Sequence, residues 1–285
     1  MRNIGNITNT RYILDKYNLQ AKKKFGQNFL IDSNIIDKIA CDDIIDKQTF
    51  VVEIGGGIGS LTEKLVEKAG FVLTYDIDCD MIKIISDNLK VPNLALINCD
   101  ILKADVISDI KKYNQNQLTK FVVVSNLPYY ITSDIIEQFL SKYSCFSHYI
   151  FMMQKEVSLR LLNNTHDKNY TILNVLIDLV GRSYKLCDVA RNLFYPAPNV
   201  DSTVIVIEAN KVLDIDKKMF HKLVKQAFYQ RRKTIYNNFK LIMDVSLLDE
   251  MFNALNLDKN LRVEQTDASL YIDMVKYLNQ HINQS

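Results

Sequence analysis

Between residue 50 and about residue 153 the chain alternates short apolar runs with amphipathic stretches, and this pattern constrains the fold more than any other feature. The runs Phe50–Ile54, Phe71–Asp76, Leu94–Cys99, Phe121–Ser125 and His148–Met153 have the length and composition of buried strands. The segments 60–69, 79–90, 105–113 and 132–143 between them carry apolar residues at helical spacing. Parallel strands need a long crossover, which a helix supplies. The alternation therefore predicts an α/β fold: a mainly parallel, doubly wound sheet with helices on both faces. A helix at 154–163, an apolar stretch at 170–180 and strand-like runs at 183–189 and 203–208 follow. Beyond 211 strand patterning stops, and the spacing at 219–230, 246–254 and 268–279 is helical. The expected division is a basic segment over 1–24, an α/β domain over 25–210 and a small all-helical C-terminal domain over 211–285.

Composition narrows the classes. With 48% hydrophobic and 24% charged residues in 285, the chain can build a core and is no disordered or fibrous sequence. No run approaches the roughly 18 apolar residues of a membrane span, and Met1–Asn6 does not open a signal peptide. Five cysteines, Cys41, Cys79, Cys99, Cys145 and Cys187, are odd in number with no C-x-x-C pair. They predict reduced thiols in a cytoplasmic protein, without structural zinc. His148, His166, His221 and His281 have no ligand spacing, so no metal is expected, nor any assembly beyond a monomer.

The net charge of +2 conceals segregation. Residues 1–24 carry six bases, Lys22, Lys23 and Lys24 among them, against Asp15 alone. Residues 217–243 carry eight bases and no acid, including Lys222, Lys225, Arg231, Arg232 and Lys233. Clustered Lys and Arg can supply the salt-dependent part of nucleic-acid affinity, so these eight residues are the candidate RNA contacts.

Three motifs carry chemistry. Glu53-Ile54-Gly55-Gly56-Gly57-Ile58-Gly59 ends the first strand of the alternation, and glycines at 55, 57 and 59 let a ligand approach the backbone. Asp76 ends the next strand, where a carboxylate can accept from both hydroxyls of a ribose. Asp78 reads as a solvated loop acid. Asp100 follows the third strand, within reach of an exocyclic amine. Such a set at the carboxyl ends of strands fits a nucleoside cofactor without pyrophosphate, S-adenosylmethionine. Asn126-Leu127-Pro128-Tyr129 follows the fourth strand. The lone pair of an adenine N6 is delocalised into the ring. Acceptors at Asn126 and Leu127 can hold both amine hydrogens and aim that lone pair at a methyl donor. Pro128 stiffens the turn, and Tyr129 offers a face on which an extruded base stacks.

Those motifs resemble the ribosomal RNA adenine dimethyltransferases. So do Lys24-Phe25-Gly26-Gln27-Asn28-Phe29-Leu30, Met153 to Val157, Phe194-Tyr195-Pro196-Ala197-Pro198 and Val200-Asp201-Ser202. Ala227 to Thr234 and Leu261 to Gln265 are similar to the small-subunit branch, and the likeness spans about residues 10–275. The resemblance implies a Rossmann-like methyltransferase sheet and dimethylation of N6 on two adjacent adenosines near the 3′ end of 16S rRNA, with a 30S particle as partner. It implies that Asn28 and Leu30 close over the methionine end of the cofactor beside Gly55 and Gly57. It further implies that Asp76 holds the ribose, Asp100 the adenine and Asn126 the edge facing the target amine. Phe194 would be a second aromatic at the base, with a core role after Leu193 the equal alternative. Gly56, where the family commonly has Pro, implies a more flexible loop. The alternatives are a 23S rRNA adenine methylase conferring macrolide resistance and a non-catalytic RNA-binding assembly factor.

Overall fold

The structure, a computed structural model, describes residues 4–22, 26–162, 168–211 and 214–282. Contact density divides the chain into two units. The first comprises 1–135, 145–159 and 183–209; the second comprises 136–144, 160–182 and 210–285.

The first unit is built on a mixed seven-stranded sheet. One interior strand is β2 (Thr49–Ile54), counting Phe29–Leu30 as β1, and all six of its residues are buried. A strand covered on both faces must be apolar throughout rather than alternating, which is why Phe50-Val51-Val52 stands out in the sequence. β2 is parallel to β3 (Phe71–Asp76) on one side and to β5 (Lys120–Asn126) on the other. β4 (Leu94–Asn98) extends the sheet beyond β3, and β6 (Phe146–Gln154) extends it beyond β5. With β7 (Gly181–Val189) and β9 (Ser202–Ala209), and with β8 (Phe194–Tyr195) outside it, the order is β4-β3-β2-β5-β6-β9-β7. β9 runs antiparallel to β6. The chain leaves β2 toward β3 and later returns to β5 on the opposite side, so β2/β5 is the switch point at which such sheets open a crevice. Register aligns the strand ends there: Ile54 lies opposite Tyr75 and Ser125, and Asp76 opposite Asn98.

Local chemistry sets the crossover helices. α3 (Ser60–Lys68) is capped by Gly59 at φ +93°, a conformation that a side chain would strain. α4 (Cys79–Asn88) starts at Asp78, whose carboxylate accepts from the Asp80 amide, and Asp105 caps α5 (Val106–Tyr113) similarly.

Residues 4–22, read in sequence only by their charge, contain helix α1 (Ile7–Lys16). Ile4, Ile13 and Leu14 pack with Ile84, Ile85 and Leu89 of the α4 region, and the Ile4 amide donates to Glu63 Oε2 at 2.7 Å. A second unanticipated helix, α2 (Ser33–Ile39), is capped by Asp32.

The second unit is helical where the spacing predicts it. α8 (Ile172–Val180), apolar on nearly every side, lies buried against α9 (Lys217–Ala227) and α12 (Ala268–Ile282). Phe220 and Tyr271 meet edge-on at 6.1 Å. The short α10 (Ile235–Phe239) went unread in the sequence; its Tyr236 packs edge-on against Phe252 of α11 (Val245–Ala254) at 5.1 Å. No helix among the described residues is long and apolar enough to cross a membrane.

Candidate functional site

The carboxyl ends of β2 to β5 open into a cavity of about 250 Å³ within the first unit. Gly26 to Leu30, Gly55 to Ile58, Asp76, Asp100 and Asn126 to Ile131 line it.

One wall is the glycine loop. Gly55 and Gly57 adopt φ of +76° and +54°, and a Cβ on Gly57 would lie 3.4 Å from the Phe29 ring. The loop is packed, not slack: a Cβ on Gly56 would come within 2.6 Å of Thr74 and 2.7 Å of Ile85, which corrects the expectation of added flexibility. Asp76 is nine-tenths buried; its Oδ2 accepts from the Gly57 amide at 2.9 Å and its Oδ1 from the Asp78 amide at 2.8 Å. Burial pushes its pKa up to about 6 against the pull of those two amides. Asp100 stays more open and accepts from the Leu102 amide. Among the described residues the cavity lining holds these two acids and no base.

Behind the loop, Glu53 is fully buried, and its Oε2 accepts from Thr62 and Thr74, both at 2.7 Å. Burial pushes its pKa up to about 7. It ties β2 to α3 and β3, a role sequence reading missed. Also missed was Ser60, the first residue of α3, which lines the cavity with a buried hydroxyl that meets no partner. Its signal was positional, a hydroxyl directly after the last glycine of the loop.

Asp78 is not the solvated loop acid expected. It is 3% exposed, and its carboxylate takes the Lys22 ammonium at 2.8 Å and the Gln27 amide at 2.9 Å. Burial works against its charge, yet Lys22 and Gln27 hold its pKa below the usual range. Lys22 also bonds Asp80 at 2.6 Å. The first of the expected RNA lysines is thus paired within the chain, its ammonium bridging Asp78 and Asp80. Lys23 and Lys24 lie outside the described residues.

The opposite wall is the turn after β5. Asn126 Nδ2 donates to the Asn28 carbonyl at 3.2 Å, joining two expected site residues 98 positions apart. The Leu127 amide donates to the Met152 carbonyl, and the Leu127 side chain is buried. Among the described residues neither Asn126 Oδ1 nor the Leu127 carbonyl accepts a hydrogen bond. Pro128 takes bonds from the Ile131 amide and the Thr132 hydroxyl, closing the turn. Tyr129 is half-buried with its hydroxyl 3.3 Å from Ser202 Oγ.

Leu30 and Phe194 pair across the β1–β8 ladder. Leu30 reaches the cavity; Phe194 does not, being 3% exposed inside the core with Ile36 and Val204. Of the two roles open to Phe194, base or core, its burial agrees with the core one.

Donor chemistry and steric room fit a nucleoside cofactor: a carboxylate deep in the cavity, a backbone cradle without Cβ atoms and an orphaned hydroxyl beside it. The ribosomal RNA adenine dimethylase family model matches residues 18–280. The chain belongs to that family. It is 42% identical over 243 residues to the ribosomal RNA small subunit methyltransferase A of Staphylococcus carnosus, covering 84% of this chain and 82% of that one. The protein of the same name from Mycoplasmopsis pulmonis is 38% identical over 247 residues, covering 86% and 94%. A dimethyladenosine transferase from Plasmodium falciparum superposes with a TM-score of 0.70 at 26% identity, over 88% of this chain and 97% of that one. The 23S rRNA methyltransferase ErmE shares the fold, with a TM-score of 0.59 at 21% identity over 89% and 100%.

In the second unit the eight-base tract divides. Lys225 pairs with Glu137 at 3.0 Å, beside the His221–Glu137 contact, and Arg231 pairs with Glu264 at 3.1 Å. Lys222, Arg232 and Lys233 are exposed and have no partner among the described residues. Sequence could not separate the two sets, because the acids that take Lys225 and Arg231 lie far along the chain.

Proposed function

We propose that this protein moves methyl groups from S-adenosylmethionine to N6 of adenosine in small-subunit rRNA, two per base, in the cytoplasm during assembly of the 30S particle. The observation that carries the reading is the pair of unoccupied acceptors, Asn126 Oδ1 and the Leu127 carbonyl, in the same cavity as Gly57 and Asp76. Family membership supports the reaction, and the small-subunit relatives support the choice of rRNA.

S-adenosylmethionine supplies an activated methyl on a positively charged sulfur. Asp76 would hold the ribose hydroxyls with its remaining lone pairs, and Asp100 the adenine amine. The backbone at Gly55 and Gly57, with Asn28 and Leu30, would hold the methionine end. The lining acids suit a cation. Asn126 and the Leu127 carbonyl would hold both hydrogens of the target N6, which turns its lone pair away from the ring. Those acceptors would stabilise the positive charge that develops on nitrogen during methyl transfer. The cationic amine then gives its proton to water, so no side-chain base is needed. Tyr129 supports the extruded base, and Lys222, Arg232 and Lys233 meet phosphates.

Primer extension on rRNA from undermethylated 30S particles and from 50S particles, each treated with protein and cofactor, tests the reading. The expected result is a block confined to adjacent adenosines of 16S rRNA. A block only in 23S rRNA would overturn the choice of substrate, and no block in either would overturn the activity.

A further inference from the structure

With Phe194 turned into the core, Tyr129 is left as a single aromatic face for a target base, and the cavity mouth holds a second tyrosine to which no role has been given. Tyr130 lines the cavity yet is 56% exposed. Its hydroxyl has no hydrogen-bond partner among the described residues. Its ring borders the Gly26 turn: a Cβ built on Gly26 would lie 3.9 Å from two of its carbons. The turn beneath it is closed by the bonds that Pro128 accepts from Ile131 and Thr132. Tyr129 is half-buried with its hydroxyl toward Ser202, whereas Tyr130 is exposed at the rim.

An aromatic ring exposed at the mouth of a cavity is costly to leave in water and suits a flat apolar partner. The partner available at the mouth of a site that extrudes one base is the next base of the same strand. Extrusion breaks the stacking between the two, and a protein ring can replace it. We infer that Tyr130 is a positioning residue that stacks the unpaired nucleotide flanking the target adenosine. This rests on the rRNA reading above and deepens it: the site takes two neighbouring bases at once, one on Tyr129 inside and one on Tyr130 at the rim. The hydroxyl plays no part, so phenylalanine serves as well.

The test uses the full chain and a synthetic rRNA hairpin with two unpaired adjacent adenosines, one replaced by 2-aminopurine, whose fluorescence is quenched by stacking. Affinity and fluorescence are read directly, independently of turnover. Tyr130→Ala is expected to weaken hairpin binding about ten-fold, raise KM for RNA by a similar factor with kcat within two-fold, and abolish the quenching on binding. Tyr130→Phe is expected to match the wild type, and S-adenosylhomocysteine affinity is expected to be unchanged in both. Wild-type affinity and quenching in Tyr130→Ala would overturn the inference while leaving the rRNA reading intact. Joint loss of cofactor affinity and kcat would also overturn it, by showing a structural role. A wild-type protein that does not bind the hairpin would overturn both.

Discussion

The two walls of the cavity are built on opposite plans. On the glycine-loop side the carboxylates are already engaged: Asp76 holds two backbone amides, Asp78 holds Lys22 and Gln27, and Glu53 holds two threonines. On the Asn126 side, among the described residues, Asn126 Oδ1 and the Leu127 carbonyl accept nothing and Tyr130 is exposed, while the Asn126 amide nitrogen, backbone bonds and the Tyr129 and Thr132 hydroxyls fix the wall. The difference teaches where each ligand's binding energy comes from. A wall assembled in advance loses little freedom when a small cofactor arrives. A wall with open acceptors gains its hydrogen bonds only when the base and its developing charge are present, which is where stabilisation speeds the reaction.

Removing the deepest group of the engaged wall should break the comparison most visibly. Asp76→Ala should weaken S-adenosylhomocysteine binding about 100-fold by calorimetry, on the scale of lost charged hydrogen bonds, with RNA affinity nearly unchanged. Equal loss of both would mean that the walls are not independent. Neither wall should carry the phosphate contacts. Arg232→Glu with Lys233→Glu should lower RNA affinity by more than ten-fold and reduce the log–log salt slope by about 2, leaving cofactor affinity intact. An unchanged slope would make that tract a merely solvated surface.

Titration sharpens the contrast further. Asp76 carries a pKa raised to about 6, so its proton returns, and its acceptor strength falls, as pH drops through that value. Cofactor affinity should fall about ten-fold between pH 7 and pH 5, following a single group with a pKa near 6, and Asp76→Asn should flatten the profile. The effect with the least bearing on either ligand belongs to Glu53. Its pKa rises on folding to about 7, so the folded state binds the proton more tightly, and this group's contribution to stability falls as pH climbs from about 4.5 to 7. Glu53→Gln should remove a change of about 3 kcal/mol over that window in urea titrations. A wild-type slope in the variant would assign the pH dependence elsewhere.

The interior of the sheet was legible because β2, β3, β5, β6 and β9 are largely buried and continuous in sequence. The glycine loop, Asp76, Asp100 and the Asn126 turn were legible because strand ends in such a fold converge on one edge. What stayed hidden depends on pairings between distant residues. Lys22 looked like part of a basic arm, and only contact across 56 positions shows that it serves Asp78. Phe194 suited a site or a core role in sequence, and its packing with Ile36 and Val204 depends on the fold. α1 is obscured in sequence by its charges, and its apolar residues Ile13 and Leu14, with Ile4, find their partners only on distant α4. Tyr130 and Ser60 sit beside recognised motifs, but exposure and an unpartnered hydroxyl are properties of the folded chain alone.

The central claim, that Asn126 acts on the amine rather than on the cofactor, is tested most directly by single-turnover methyl transfer to undermethylated 30S particles. The comparison is wild type against Asn126→Ala, with N6-methylated adenosine counted by mass spectrometry. The account predicts a rate at least 100-fold lower in the variant, with cofactor and RNA affinities within about three-fold of wild type. Methyl transfer at the wild-type rate would contradict it.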